Sequence, residues 1–179
     1  MRSQIRWLSF LLLFAITSVQ GATRDPVSHF FDQSLGNFQE ELEMARDEGK
    51  KGILIMFEMD ECPFCHRMKT RVLNQVVVQD YYKERFLIYT VDIEGDVEIS
   101  DFSGEPMKEK DFAFKQFKVR ATPVFGFFDL DGKLITRFTG TTNNAQEFLW
   151  LGEFVADGHY KETNFSRYKR QKRKEARQQ

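Results

Sequence analysis

A continuous apolar run, Ile53-Leu54-Ile55-Met56-Phe57, leads after four residues into Cys62-Pro63-Phe64-Cys65, which contains both cysteines of the 179-residue chain. The run is flanked by Gly52 and by the acids Glu58, Asp60 and Glu61, as expected of a short strand buried on both faces. Such a strand needs cover above and below, so it belongs at the centre of a layered domain. A bridge between two cysteines this close closes a ring too small to constrain the unfolded chain, so their value is chemical rather than structural. The length suits one domain of roughly 100 to 200 residues, and 19 Phe within 15% aromatic content can fill a core. Disorder, collagen-like repeats and a many-disulfide scaffold are excluded.

The first residues carry Arg2 and Arg6, run uncharged from Trp7 to Val19, and end in Val19-Gln20-Gly21. This three-part pattern predicts a cleaved secretory signal over residues 1–21. The alternative, an uncleaved anchor, has an apolar run of only 13 residues, Trp7 to Val19, against the roughly 20 that span a bilayer. The mature protein is therefore expected to be exported, soluble and periplasmic, with one domain over residues 22–160. The net charge of −1 conceals an asymmetry: residues 22–166 hold 17 basic and 26 acidic side chains, a net of −9, whereas Arg167 to Arg177 hold seven basic residues and one acid. Residues 161–179 are expected to form a basic, disordered tail, either simply solvated or held to anionic lipid headgroups. Nucleic acid is not an expected partner, because export removes it and the acidic body repels phosphates.

Apolar residues Phe31, Leu35, Phe38, Leu42 and Ala45 recur at spacings of three and four, which predicts one amphipathic helix between Asp25 and Lys51. Helices are expected over Cys65–Asn74 and Val77–Arg85, and a second strand over Phe86–Ile93. Glu94–Pro106, acidic and containing two glycines, reads as a loop before a helix from about Lys108 to Phe117. Strands Val124–Phe128 and Leu134–Phe138 are joined through Asp131-Gly132, a hairpin signal. Asn144–Val155 reads as a closing helix. This order predicts an α/β domain, a four-stranded mixed sheet flanked by helices on both faces.

Placed where a strand ends and a helix begins, Cys62 and Cys65 read as a redox dithiol. Unpaired amides and the helix dipole would stabilise a Cys62 thiolate, and Cys65, one turn later, could attack the mixed disulfide and release product. Such chemistry needs no cofactor and no metal. Cys62-Pro63-Phe64-Cys65-His66 also satisfies the pattern for covalent haem attachment, with His66 as an axial ligand, although a motif between strands of a sheet is poor context for a small helical cytochrome. Zinc would need further ligands, and His29 and His159 have no paired spacing. The remaining alternative is two small buried hydrophobes.

The strand Ile53 to Phe57, the Cys62-Pro63-Phe64-Cys65 motif, the stretch Val119-Arg120-Ala121-Thr122-Pro123-Val124-Phe125 and the segment Phe127 to Lys133 together resemble the thioredoxin superfamily over nearly all of residues 27–157. Within it, the exported bacterial thioredoxin-like proteins of the SoxW and periplasmic thiol-disulfide group are most similar. The resemblance implies a thioredoxin-like fold, a redox disulfide Cys62–Cys65, and a cis Thr122-Pro123 pair lying against the cysteines. There Thr122 and Pro123, with Pro63 and Phe64, would meet substrate; a strand-initiating proline is the simpler reading of Pro123. Thioredoxins proper carry Trp before the first cysteine, Gly-Pro between the two, and a buried acid six residues ahead of the pair; this chain has Glu61, Pro63-Phe64 and Met56. Glu58 and His66 are then the candidates for tuning the thiols. The simpler reading of Glu58 is an exposed strand-end charge, and that of His66 a helix-surface residue.

Exported dithiol proteins similar to DsbC carry a separate dimerisation domain, and those similar to DsbA a large helical insertion. Here a single helix precedes the first central strand, and fewer than 30 residues separate Ile93 from Thr122. The resemblance therefore implies a monomeric protein-disulfide reductase or exchange protein acting on disulfide-bonded exported proteins. A membrane thiol transporter similar to DsbD or CcdA would be its reductant. A thioredoxin-fold interaction module without catalysis is the alternative from another functional class.

Overall fold

The computed structural model describes residues 21–178, so all but the last residue of the expected signal lies outside the described residues. Along the chain run α1 (Pro26–His29), α2 (Phe38–Asp47), β1 (Gly52–Glu58), α3 (Pro63–Arg71), α4 (Val76–Arg85) and β2 (Phe86–Asp92). After them come β3 (Glu98–Ser100), β4 (Pro106–Lys108), α5 (Glu109–Asp111), β5 (Val124–Phe128), β6 (Leu134–Thr139), α6 (Ala145–Ala156) and α7 (Phe165–Glu175). The main sheet has the order β2-β1-β5-β6. β1 pairs parallel with β2 from Gly52↔Phe86 to Glu58↔Asp92, and antiparallel with β5 from Ile53↔Phe128 to Phe57↔Val124. The mixed sheet expected from the sequence is the one observed.

Alternation along the strands divides the core in two. Leu54, Met56, Ile88, Phe125 and Phe127 face α3, α4 and α6, where they meet Met68, Tyr82, Phe148 and Leu151. Ile53, Ile55, Phe57, Leu87, Tyr89 and Val91 face α2 and the segment after α5, meeting Phe38, Leu42, Ala45 and Phe112. Both faces are thus covered, which is why β1 is apolar at every position from Ile53 to Phe57. Each fully buried aromatic or aliphatic side chain contributes about 1.5–3 kcal/mol of hydrophobic stabilisation. Tyr82 adds a stacked contact with Phe148 at 4.6 Å between ring centroids, and its hydroxyl donates to the Phe148 carbonyl at 2.6 Å. Burial pushes the Tyr82 phenol well above its ordinary value. Gly52 opens β1 because a Cβ there would lie 2.0 Å from the Phe128 carbonyl oxygen.

Four segments differ from the sequence expectation. The single helix expected between Asp25 and Lys51 is broken into α1 and α2. Gly36 takes a positive φ of 82°, and the Asn37 side chain accepts from the Gln39 and Glu40 amides to start α2. Leu35, which fits the helical period, is 95% exposed in the connecting loop. The expected loop Glu94–Pro106 contains β3, which pairs with β4 in a small hairpin and seals the second core with Ile99. The expected helix over Lys108–Phe117 is α5 followed by a π-helical turn, Phe112–Gln116, which brings Phe112 onto Phe38 with centroids 5.0 Å apart.

The last departure corrects the expectation of a disordered tail. Residues 165–175 form α7, capped by the Asn164 side chain on the Arg167 amide at 3.0 Å. Phe165 packs on Phe138 and Phe154, and Tyr168 is buried against Phe154. Arg173 and Lys169 reach Glu147, and Lys172 reaches Glu153 at 2.9 Å. An apolar pair one turn apart, backed by two acids on α6, docks a helix whose composition alone reads as solvated. No described helix is long and apolar enough to cross a membrane.

Candidate active site

β1 ends at Glu58, and after three intervening residues Cys62 caps α3. Pro63 stands at the first helical position, where a missing N–H costs nothing and the fixed φ suits the helix. Cys62 and Cys65 are joined in a disulfide and are 6% and 3% exposed. The Cys65 amide donates to Cys62 Sγ at 3.0 Å, and the Thr122 hydroxyl donates to the same sulfur at 3.2 Å. The Thr122-Pro123 peptide is cis and leads directly into β5. Two donors and the positive end of a helix therefore converge on Cys62 Sγ, the environment that stabilises a thiolate once the bridge is reduced.

Beneath the disulfide lies a cavity of about 260 Å³ that touches Cys62, Cys65, Glu58, His66 and Lys69. It also reaches Asp60 before the motif, Thr90 and Asp92 on β2, and Glu109 on α5. Glu58 is not a free strand-end charge: Lys69 Nζ sits 2.6 Å from its Oε2, and both side chains are largely shielded. Glu109 accepts from the Asp92 amide at 3.3 Å. Burial, seconded by the nearby Asp92 charge, holds the Glu109 carboxyl above its ordinary value despite that hydrogen bond.

The structure thus brings Cys62, Cys65, Thr122 and Pro123 together and lines the space behind them with Glu58 and His66. Pro63 and Phe64 stand on the exposed side of the motif, with Phe64 58% exposed. Sequence reasoning missed Lys69, Thr90, Asp92 and Glu109. For Lys69 a signal existed, since it follows Cys65 by four residues and so lies one turn further along α3. Glu109 had none, because it arrives from the segment between β2 and β5. Among the described residues, no group of three or more His, Cys, Asp and Glu side chains is arranged to hold a metal ion.

A disulfide at the N-terminus of a helix, facing a cis-proline at the start of the antiparallel strand, defines a thioredoxin-type redox site. Residues 38–156 match the family model for the thioredoxin-like domain, and the chain belongs to that family. Among solved structures, it is similar to a thioredoxin-fold protein from Helicobacter pylori at 27% identity and TM-score 0.57, covering 70% of this chain and 86% of that one. A structure described as DsbH oxidoreductase matches at 17% identity and TM-score 0.56, over 79% and 94% of the two chains. A thioredoxin from Thermus thermophilus matches at 24% identity and TM-score 0.52, over 69% and 88%. No curated protein sequence matches it.

Proposed function

We propose that this protein is an exported thiol-disulfide oxidoreductase that reduces or exchanges disulfides in exported proteins. One observation carries the reading: the only C-x-x-C pair of the chain is bridged at the start of α3, with two hydrogen-bond donors on Cys62 Sγ. In the reduced protein the Cys62 thiolate attacks a substrate disulfide, forming a mixed disulfide and releasing one substrate thiolate. Cys65, deprotonated, then attacks Cys62 Sγ; the second substrate thiolate leaves, two electrons have passed to the substrate, and Cys62–Cys65 is oxidised. A membrane thiol transporter similar to DsbD or CcdA would restore the dithiol. The signal-like pattern at Arg2 to Gly21 supports export.

Insulin reduction with dithiothreitol tests this reading. Native protein is expected to accelerate precipitation, Cys62→Ser to fall to the uncatalysed rate, and Cys65→Ser to trap mixed disulfides. Equal rates for native and Cys62→Ser protein, with no trapped adducts, would favour an interaction module instead. The reduction potential decides direction: about −270 mV suits a reductant and about −120 mV an oxidant. An absorption spectrum without a Soret band disposes of the haem alternative.

Lipid-surface contact through the basic tail belongs to the same proposal in a sharper form. Arg167, Arg170, Lys174 and Arg177 recur at spacings of three and four on α7 and its end, and none has an ion-pair partner among the described residues. Replacing these four by Gln, which spares the docked face of the helix, should abolish sedimentation with anionic vesicles if they are the contact.

A further inference from the structure

The cavity beneath the disulfide does not end there. It shares Glu58, Lys69, Thr90 and Glu109 with a larger groove of about 610 Å³ that runs along the outer edge of β2. Three large apolar side chains brought from separate segments open into this groove: Val27 of α1 (58% exposed), Leu35 (95%) and Val97 just before β3 (64%). Scattered exposed hydrophobes are ordinary, but three converging on one concavity beside a reactive disulfide mark a binding surface.

The groove also exposes a sheet edge, since among the described residues β2 has β1 as its only strand neighbour. On that open side the Asp32 amide donates to the Ile88 carbonyl at 2.7 Å, and the Asp32 carboxylate accepts from the Ile88 amide at 2.8 Å. Two positions beyond Thr90, Glu109 accepts from the Asp92 amide. Alternation turns the N–H and C=O of Thr90, midway between Ile88 and Asp92, to the same side, and no described residue pairs with them there. Charge completes the description. Lys69 is engaged with Glu58, while Asp60, Asp92, Glu98 and Glu109 around the two cavities have no cationic partner among the described residues.

We propose that this groove binds an extended polypeptide segment rich in apolar and basic side chains. The segment lays its apolar side chains over Val27, Leu35 and Val97, turns Lys or Arg toward the acids, and adds one residue to the sheet edge at Thr90. Resting on the exchange reading above, the proposal assigns the substrate class of that site: a cationic, extended stretch neighbouring the substrate disulfide is led to Cys62 along β2, on the side away from Thr122-Pro123.

Binding can be read without any chemistry. The probe is a fluorescein-labelled, cysteine-free peptide of alternating Leu and Lys, titrated with the oxidised full chain. Saturable binding is expected, weakened about tenfold or more in Leu35→Lys/Val97→Lys protein, from lost apolar contact and added like charge. A Leu/Glu peptide should not bind. Both replaced side chains are largely exposed, so folding is spared, and an unchanged rate of oxidised-glutathione reduction by the variant, first reduced with dithiothreitol and desalted, would check that the cysteines are intact. Absent binding, or equal binding by native and variant protein, overturns the proposal. So does sedimentation showing a dimer that Leu35→Lys dissolves, which would give the groove to a second copy. Failure of the exchange reading is recognised separately, as oxidised glutathione reduced no faster by dithiothreitol-reduced, desalted native protein than by Cys62→Ser treated in the same way.

Discussion

The disulfide is held between two unlike walls. On one side Thr122-Pro123 offers a hydroxyl and a rigid backbone, neutral groups that follow one another in the chain. On the other, Glu58, Lys69, Asp92 and Glu109 form an ionisable wall assembled from β1, α3, β2 and α5. A neutral dipole acts on Cys62 over one hydrogen bond and is insensitive to salt, whereas charges act through space on both sulfurs and are screened. The neutral wall should therefore set the local geometry of the reactive sulfur, and the charged wall the pH range in which it works.

Removing the cation should produce the largest effect. Lys69→Met leaves the Glu58 carboxylate unpaired in a shielded position, and should lower the denaturant-derived stability of the oxidised protein by about 1–3 kcal/mol. In the reduced protein the uncompensated negative charge disfavours a thiolate, so iodoacetamide labelling should shift to higher pH by up to about one unit. The double variant Glu58→Gln/Lys69→Met should recover most of both losses. Raising ionic strength from about 0.1 to 1 M should shrink the shift in Lys69→Met. A shift that ignores both the second substitution and salt would mean that Lys69 acts by packing alone.

Thr122→Val tests the neutral wall. It removes one donor from Cys62 Sγ while keeping the shape of the side chain, a loss of about 0.5–1.5 kcal/mol to the thiolate. Labelling at neutral pH should slow about two- to tenfold, with little dependence on salt. A salt response equal to that of Lys69→Met would erase the distinction between the walls.

The same contrast explains what could be read from the sequence. β1, the cysteine pair, Thr122-Pro123 and the Asp131-Gly132 turn are runs of adjacent residues whose local chemistry has one good structural outcome. The charged wall and the groove unite residues up to about 80 positions apart, so no local pattern announces them. Leu35 misleads because spacing is a projection: Phe31, Leu35 and Phe38 fit a helical period, but Gly36 at positive φ and the Asn37 cap restart the helix between them. The tail misleads for the opposite reason. Seven cations dominate its composition, yet Phe165 and Tyr168 are enough to dock it, with Glu147 buried beneath Arg173 and Lys169.

The smallest effect is expected from Glu109, and its sign separates a raised acid from a paired one. Burial first, then the Asp92 charge, holds its folded-state carboxyl above the ordinary value. Such a group favours the fold while protonated in both states, and that advantage is lost as pH rises through the folded-state value. Glu109→Gln, which keeps the shape and cannot ionise, should therefore be a few tenths of a kcal/mol more stable than native protein at neutral pH, the difference closing below the carboxylate range. Glu147 runs the other way. Although burial opposes its charge, hydrogen bonds from Arg173 and Asn143 and the Lys169 charge hold it below its ordinary value, so its contribution is lost as pH falls. Urea midpoints between about pH 3 and 8 should show Glu109→Gln gaining on native protein toward neutrality and Glu147→Gln losing. Parallel behaviour of the two would mean that Glu109 finds a cation in solution, and the wall behind the disulfide would then be balanced rather than acidic.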